Sequence, residues 1–256
     1  MPKLFDTHCH FIDFDIDTIT SLTSLLSNIE LLSVSKSPSD WSPNIDLCSH
    51  YQNIYPALGV HPWYVHDLNS FENDLMRLDE LVNSEHIRIL GEIGLDFAAE
   101  YLLTRSIQER YFAAQVELSV RKGLSLSIHC RKAFDAVLSE LKGNNIERAV
   151  MHGFSGSHEQ AKPFVDMGYK LGIGSQILNL QSTKYEKLVK YAPLDSLVLE
   201  TDAPYVKVGA DMSLVQRLQA ISERIAAIKM VSLEEVVSTT YNSARLILGL
   251  NYHDVE

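Results

Sequence analysis

Basic residues are scarce in this chain: 22 Lys and Arg stand against 33 Asp and Glu in 256 residues, a formal net charge of −11. Proteins that hold nucleic acid non-specifically display an excess of Lys and Arg, and that excess is absent here. Bound divalent cations would offset part of the charge locally, but a polyanionic substrate would still approach against the mean field, which counts against a nuclease without excluding one. Cysteine is sparser still, limited to Cys9, Cys48 and Cys130. An odd, widely spaced set builds no disulfide framework and reads as buried free thiols in a reducing compartment. No apolar run approaches the roughly 18–20 residues that span a bilayer, so no membrane partner is expected. The N-terminus enters a strand directly and lacks the basic-then-apolar pattern of a signal peptide, which makes the cytoplasm the expected location. Pro/Gly/Ser-rich linkers, low-complexity segments and detectable repeats are also missing, so one domain over residues 1–256 is expected.

What is present is an ordinary globular composition, 46% hydrophobic and 21% charged, on a chain long enough to bury about three-quarters of its unfolded surface. Short apolar runs alternate with amphipathic stretches. Strands are predicted at Leu4–His8, Ile29–Ser33, Ile54–Leu58, Ile87–Ile93, Leu124–His129, Ala149–His152, Tyr169–Ile173 and Leu197–Thr201, with a polar loop at Ser35–Pro43. Between them, Ser70 is placed to cap a helix carrying Leu75, Leu78, Leu81 and Val82. Ser106 and Glu109 read as a capping box, Asp211 as the cap of a helix with Leu214, Leu218, Ile221, Ile225 and Ile228 on one face, and Ser232 with Glu235 as a second box. Strands alternating with helices imply parallel strands with right-handed crossovers, and eight such units in about 250 residues favour an α/β fold of the closed (β/α)8 TIM-barrel type.

The chemistry begins at Asp6-Thr7-His8-Cys9-His10, where the first strand ends. A His-x-His pair on a strand points both imidazoles to one side and turns Cys9 away. In a barrel the C-terminal strand ends converge on one mouth. His8 and His10 from the first strand would meet Glu92 from the fourth, His129 from the fifth, His152 from the sixth and Asp202 from the eighth. Four histidines and two carboxylates exceed the three or four protein ligands of one catalytic metal and suit two divalent ions. Glu92 is the natural bridge, with His8, His10 and Asp202 completing one ion and His129 and His152 the other. Such a centre lowers the pKa of bound water from about 15.7 toward roughly 7–9, and Asp202 is placed to take its proton. The histidines must be neutral to bind, so occupancy should decline below about pH 6.

The segments Asp6–His10, Gly59–Pro62, Gly91–Asp96, Ile128–Arg131, His152–Gly156 and Leu199–Tyr205 run in one order across most of the chain. In these segments the sequence resembles the TatD family of metal-dependent hydrolases, among the amidohydrolase-type barrels. The resemblance implies a distorted barrel, two divalent ions (Mg, Mn or Zn) and phosphodiester hydrolysis of DNA or RNA, often as a deoxyribonuclease or exonuclease. It also implies that His61 and Arg131 face the substrate. Arg131 could grip a phosphate through its planar fork, or form an ordinary ion pair. His61 could donate to substrate or satisfy a loop carbonyl. Glu200, two residues before Asp202 and pointing the same way on a continuing strand, could hold a ligand histidine from behind or belong to a buried pair, and Trp63 and Tyr205 could stack on a base or simply pack.

Two segments depart from the family pattern and bear on substrate choice: Val206–Asp211 replaces an Arg-Gly and Asn-x-Pro stretch, and Gly172-Ile173-Gly174-Ser175 replaces Ser-Phe-Ser-Gly. Gly172-Ile173-Gly174 fails as a dinucleotide fingerprint and Gly153–Gly156 as a nucleophile elbow. His50, His66, His86, His158 and His253 read as surface residues. Two other readings remain open: amide or ester hydrolysis, such as deacylation of a charged tRNA, and a metal-binding scaffold subunit of a larger complex. Relatives doing amide chemistry commonly bridge their metals with a carbamylated Lys, where this chain has Glu92.

Overall fold

The computed structural model of the chain describes residues 3–15, 19, 28–206 and 212–250. Its strands are β1 (Leu4–Cys9), β2 (Ile29–Val34), β3 (Ile54–Ala57), β4 (Ile89–Asp96), β5 (Ser125–Arg131), β6 (Ala149–Met151), β7 (Lys170–Ile173) and β8 (Leu197–Leu199). Each predicted run falls on one of them, with ends displaced by a few residues. All pairings are parallel, in a sheet of order β1-β2-β3 and a second of order β4-β5-β6-β7-β8.

Backbone bonds join the two sheets at both seams. At the first, Leu58 bridges to Leu90, with Gly91 N–H donating to the Leu58 carbonyl at 2.9 Å. At the second, Asp202 N–H donates to His8 at 2.9 Å and His10 N–H to Ala203 at 2.8 Å. The result is a TIM-type arrangement interrupted at two seams. The sequence alternation predicts the strands but contains nothing that marks where ladder pairing lapses.

The helices lie between strands, as the crossover rule requires. Those after β2 to β8 span Trp41–Ser49, Phe71–Ser84, Arg105–Lys122, Phe134–Gly143, His158–Asp166, Thr183–Tyr191 and Leu214–Lys229, and a further helix covers Leu233–Ile247. Several expectations need correction. The polar stretch Ser35–Pro43 is not all loop, because Trp41, fully buried and donating its indole N–H to the Gly59 carbonyl at 3.0 Å, starts a helix there. Ser106 lies inside its helix, which Arg105 begins, and Glu109 pairs with Arg105 at 2.9 Å instead of closing a capping box. The Leu214–Lys229 helix is capped by Ser213 in a reciprocal box with Gln216; Asp211, the expected cap, lies outside the described residues. Ser232 does cap the last helix, accepting from Glu235 N–H at 3.0 Å.

Two apolar clusters divide the interior. The larger fills the space between strands and helices, with Leu31, Leu78, Val116, Val137, Phe164, Leu188 and Leu218 among its buried members. The smaller gathers the inward positions Phe5, Leu32, Val34, Ala57, Ile89, Val150 and Val198 around Tyr241, Ala244 and Ile247 of the final helix and Leu248 just beyond it. That helix therefore stoppers the N-terminal end of the ring. Glu30 pins it there, accepting from the Tyr241 hydroxyl at 2.7 Å and from Arg245 at 2.5 Å. The opposite end is left to polar residues.

Candidate metal centre

Counting in steps of two from the stopper cluster should give the inward positions at the open end. On β2 the series Leu32, Val34 continues to Lys36; on β8 Val198 continues to Glu200 and Asp202. On β1 and β4 the count fails: Phe5 and Ile89 point inward, yet so do His8 and Glu92, an odd number of steps away. Register shifts at Asp6/Cys9 and at Leu90/Ile93 account for the change of face. Such irregularities re-aim side chains locally. Cys9 and Ile93 accordingly join the outer cluster.

Glu92 stands at the centre, 3% exposed. Its Oε2 lies 3.2 Å from His8 Nε2 and 3.6 Å from His10 Nε2. Its Oε1 lies 3.0 Å from His129 Nδ1, 3.3 Å from His61 Nε2 and 3.9 Å from His152 Nε2. Asp202, at a left-handed backbone position (φ 51°) that Asp tolerates better than most residues, approaches His10 Nε2 at 3.6 Å and His152 Nε2 at 3.9 Å. The imidazoles of His8 and His152 stack with centroids 3.3 Å apart.

A second set of residues holds these rings from behind. Ser127 Oγ meets His8 Nδ1 at 3.1 Å. Glu200, 1% exposed, meets His152 Nδ1 at 3.1 Å and accepts from Gly153 N–H at 2.8 Å, the contacts of a residue whose role the sequence leaves open. Asp96 meets His129 Nε2 at 3.1 Å while accepting from the Trp63 indole at 2.7 Å and Ala98 N–H at 2.9 Å. His61 Nδ1 accepts from Trp63 N–H at 3.0 Å instead of donating to a loop carbonyl, so its proton resides on Nε2 facing Glu92. Below the centre, Asp6 accepts from Thr201 N–H at 3.0 Å, Thr201 Oγ1 at 2.6 Å and His8 N–H at 3.2 Å, clamping β1 to the exit of β8.

Burial and mutual charge set the protonation of the cluster. Burial opposes ionisation of Glu92, but His61, His8 and His129 hold its pKa well below the usual carboxylate range. Burial raises Asp202 to about 6 and lowers His10 to about 4. His8 falls well below the ordinary value through burial and the neighbouring His152. His152 itself rises to about 10, because Glu200 outweighs burial. Asp96 is held down at about 2, its bonds to His129, Ala98 and Trp63 outweighing burial.

The donor set fits a divalent cation. Among the described residues, ligand atoms fall within 4.8 Å of one another in three overlapping groups: His8, His10 and Glu92; His8, His152 and Asp202; His61, Glu92 and His129. His8 Nε2 and His10 Nδ1 are buried without a hydrogen-bond partner, a costly state that a cation in contact with His8 would relieve for the first. Imidazole and carboxylate together suit Zn or Mn, and the carboxylates suit Mg. In these groups His152 falls with His8 and Asp202, and His61 lies beside Glu92 and His129, but with Nδ1 accepting and its proton on Nε2, His61 has no lone pair left to offer a cation.

The cavity above these atoms has a volume of about 180 Å3 and is lined by His10, Lys36, His61, Trp63, Tyr64, Glu92, His129, His152, Asp202 and Tyr205. Arg131 does not line it. Its guanidinium turns to the rim, donating to Glu100 at 2.8 Å with Asp96 at 3.8 Å. Asp96 and Lys36 received no role from the sequence, although the period of two from Glu92 and from Val34 reaches both. His50, His66 and His86 are exposed and His158 half-buried; His253 and most of Val206–Asp211 lie outside the described residues.

Fold and site together define a TIM-type α/β protein with a candidate divalent-metal centre at the C-terminal strand ends. The chain matches the family model described as TatD related DNase over residues 5–249. It is 33% identical over 237 residues to an uncharacterised metal-dependent hydrolase of Haemophilus influenzae, covering 88% of this chain and 90% of that one. It is 29% identical over 269 residues to the human deoxyribonuclease TATDN3, covering 97% and 96%. The crystal structure of YjjV, a TatD homologue from Escherichia coli K12, superposes with a TM-score of 0.84 at 29% identity, covering 97% of this chain and 98% of that one. The chain belongs to the TatD family of metal-dependent hydrolases.

Proposed function

We propose that this chain is a phosphodiesterase acting on DNA or RNA in the cytoplasm, as one domain with two divalent ions (Mg, Mn or Zn). The observation that carries the reading is Glu92, whose two carboxylate oxygens face different histidines: His8 and His10 on one side, His61 and His129 on the other. A carboxylate so divided is built to bridge. His8, His10 and Asp202 would hold one ion with it, and His129 and His152 the other. When bound, such ions supply an activated water and offset charge on the attacked phosphate.

The protein's own groups do the rest. Asp202, within 3.6 Å of His10 and 3.9 Å of His152, is placed to accept a proton. His61 lines the cavity with its Nε2–H 3.3 Å from Glu92, the donor it would offer a substrate. Glu200, Asp96 and Ser127 fix which nitrogen each ring offers. Trp63, Tyr64 and Tyr205, between 41% and 56% exposed at the rim, give flat surfaces on which a base can stack. The likeness to a relative named a deoxyribonuclease supports the same substrate class.

The test is hydrolysis of labelled DNA and RNA oligonucleotides by protein loaded with Mg, Mn or Zn, beside a panel of acyl substrates that includes aminoacyl-tRNA. Cleavage of oligonucleotides should disappear in Glu92→Ala while the circular dichroism spectrum persists. Turnover confined to the acyl panel would overturn the phosphodiesterase reading. Equal inertness of wild type and Glu92→Ala on every substrate would instead favour the scaffold reading.

A further inference from the structure

Each strand of a barrel delivers an inward residue to the mouth, and β2 delivers Lys36. Its ammonium donates to Asp13 Oδ2 at 2.5 Å and to the Tyr205 hydroxyl oxygen at 2.7 Å, while that hydroxyl donates to Asp13 at 2.9 Å. The three groups come from the exits of β1, β2 and β8 and close a ring of hydrogen bonds. Lys36 Nζ also lies 5.2 Å from the centroid of the Tyr205 ring. The side chain is 13% exposed and lines the cavity next to His10, which packs edge-on against Tyr205. Behind it, the Lys36 carbonyl accepts from His61 N–H at 2.8 Å, so the backbone that carries the lysine also places His61.

An ammonium has three donors. Asp13 and Tyr205 take two, leaving the third for the cavity. Among the described residues lining that cavity Lys36 is the one Lys or Arg, and Arg131 is occupied outside it. Partial burial works against its charge, but the bonds to Asp13 and Tyr205 hold its pKa above the ordinary lysine value. Held by Asp13 and Tyr205, this positive group stands beside the stacking surfaces in a chain of net charge −11.

We propose that Lys36, oriented by Asp13 and Tyr205, binds a phosphate oxygen of the strand entering the cavity. The inference rests on the phosphodiesterase reading. Two roles compete for this lysine: phosphate contact, and a mere strap tying three loops together. They differ in what salt and neighbouring substitutions do.

The experiment measures steady-state hydrolysis and binding of a labelled single-stranded DNA oligonucleotide by metal-loaded wild type, Lys36→Gln, Lys36→Arg and Asp13→Asn, at several salt concentrations. Lys36→Gln should raise KM about 10-fold. It should also reduce the slope of log affinity against log salt by about 0.7, the share of one phosphate on a single strand. Lys36→Arg should restore most of both, and Asp13→Asn, which keeps the lysine's positive charge at the cavity, should not reduce the salt slope. An active wild type with an unaltered salt slope in Lys36→Gln would overturn the proposal, as would matching losses in Lys36→Gln and Asp13→Asn at constant slope, the mark of a strap. A wild type inert on every oligonucleotide would remove the phosphodiesterase reading itself, and this proposal with it.

Discussion

Glu200 fits behind His152 only because β7 leaves room for it, and Gly172→Ala tests that directly. A Cβ built on Gly172 would lie 2.0 Å from Glu200 Oε2 and 2.7 Å from its Cδ; the three nearest atoms all belong to Glu200. Gly172 sits mid-strand at an ordinary φ, so alanine brings no backbone penalty of its own. The methyl must displace the carboxylate, which then loses its bonds to His152 Nδ1 and Gly153 N–H. Bonds to a charged group contribute about 1.5–3 kcal/mol each, and local relaxation recovers part, so the expected cost is about 3–5 kcal/mol. At this chain length that lowers the melting temperature by roughly 10 °C. With His152 no longer oriented from behind, metal affinity should fall about 10–100-fold. Thermal unfolding and competitive metal titration measure both. The decisive control is a double variant: in a Glu200→Ala background the methyl meets no carboxylate, so adding Gly172→Ala should cost almost nothing further. Wild-type affinity in Gly172→Ala, or the same cost in both backgrounds, would refute the reasoning.

Asp96→Asn should leave His129 without its charged partner, reducing metal affinity about 10-fold or more by titration. Because Asp96 is depressed to about 2, its stabilisation is complete above the unfolded value near 3.8 and lost as pH falls through about 2. Between pH 5 and pH 2, chemical denaturation of wild type should therefore show about 2 kcal/mol more loss than Asp96→Asn; parallel curves would refute the assignment. Metal uptake should release protons. His152, raised to about 10 in the metal-free protein, is protonated below that value and neutral above it, and a ligand imidazole must be neutral. Uptake at pH 8 should thus expel about one proton from this site, a number that calorimetry in buffers of different ionisation enthalpy can count. Zero release would count against His152 as a ligand.

The strands were legible because parallel strands buried on both faces read as short apolar runs such as Ile54–Ala57 and Leu197–Leu199. The ligand-type residues were legible because each stands at a strand exit. What pairs with what was not. Two register shifts reverse the face on which His8 and Glu92 fall, and no local pattern announces them. The partition of histidines around Glu92 depends on ring geometry across the mouth, so His61 proved nearer to it than His152. Arg131 looked like a phosphate fork, but Glu100, from the following loop, draws it to the rim. Lys36 was hidden in a polar stretch that reads as loop, although it continues the inward series of β2. Capping at Ser106 failed for a simpler reason: Ser106 and Glu109 have the right spacing, but the helix already starts at Arg105.

The seam between β1 and β8 has a further consequence. Its bonds run from Asp6, Thr7, His8 and His10 to residues 199–203, across sequence separations of 192–195 for the side-chain contacts. The same few residues carry His8, His10 and Asp202. Ring closure and ligand assembly are therefore a single event, reached only when the eighth strand docks against the first. Such distant contacts form late and slowly. A nascent or truncated chain that ends before Thr201 holds scattered histidines but no centre. On the proposed metal reading, anything that pries this seam apart should scatter His8, His10 and Asp202 and undo the barrel together.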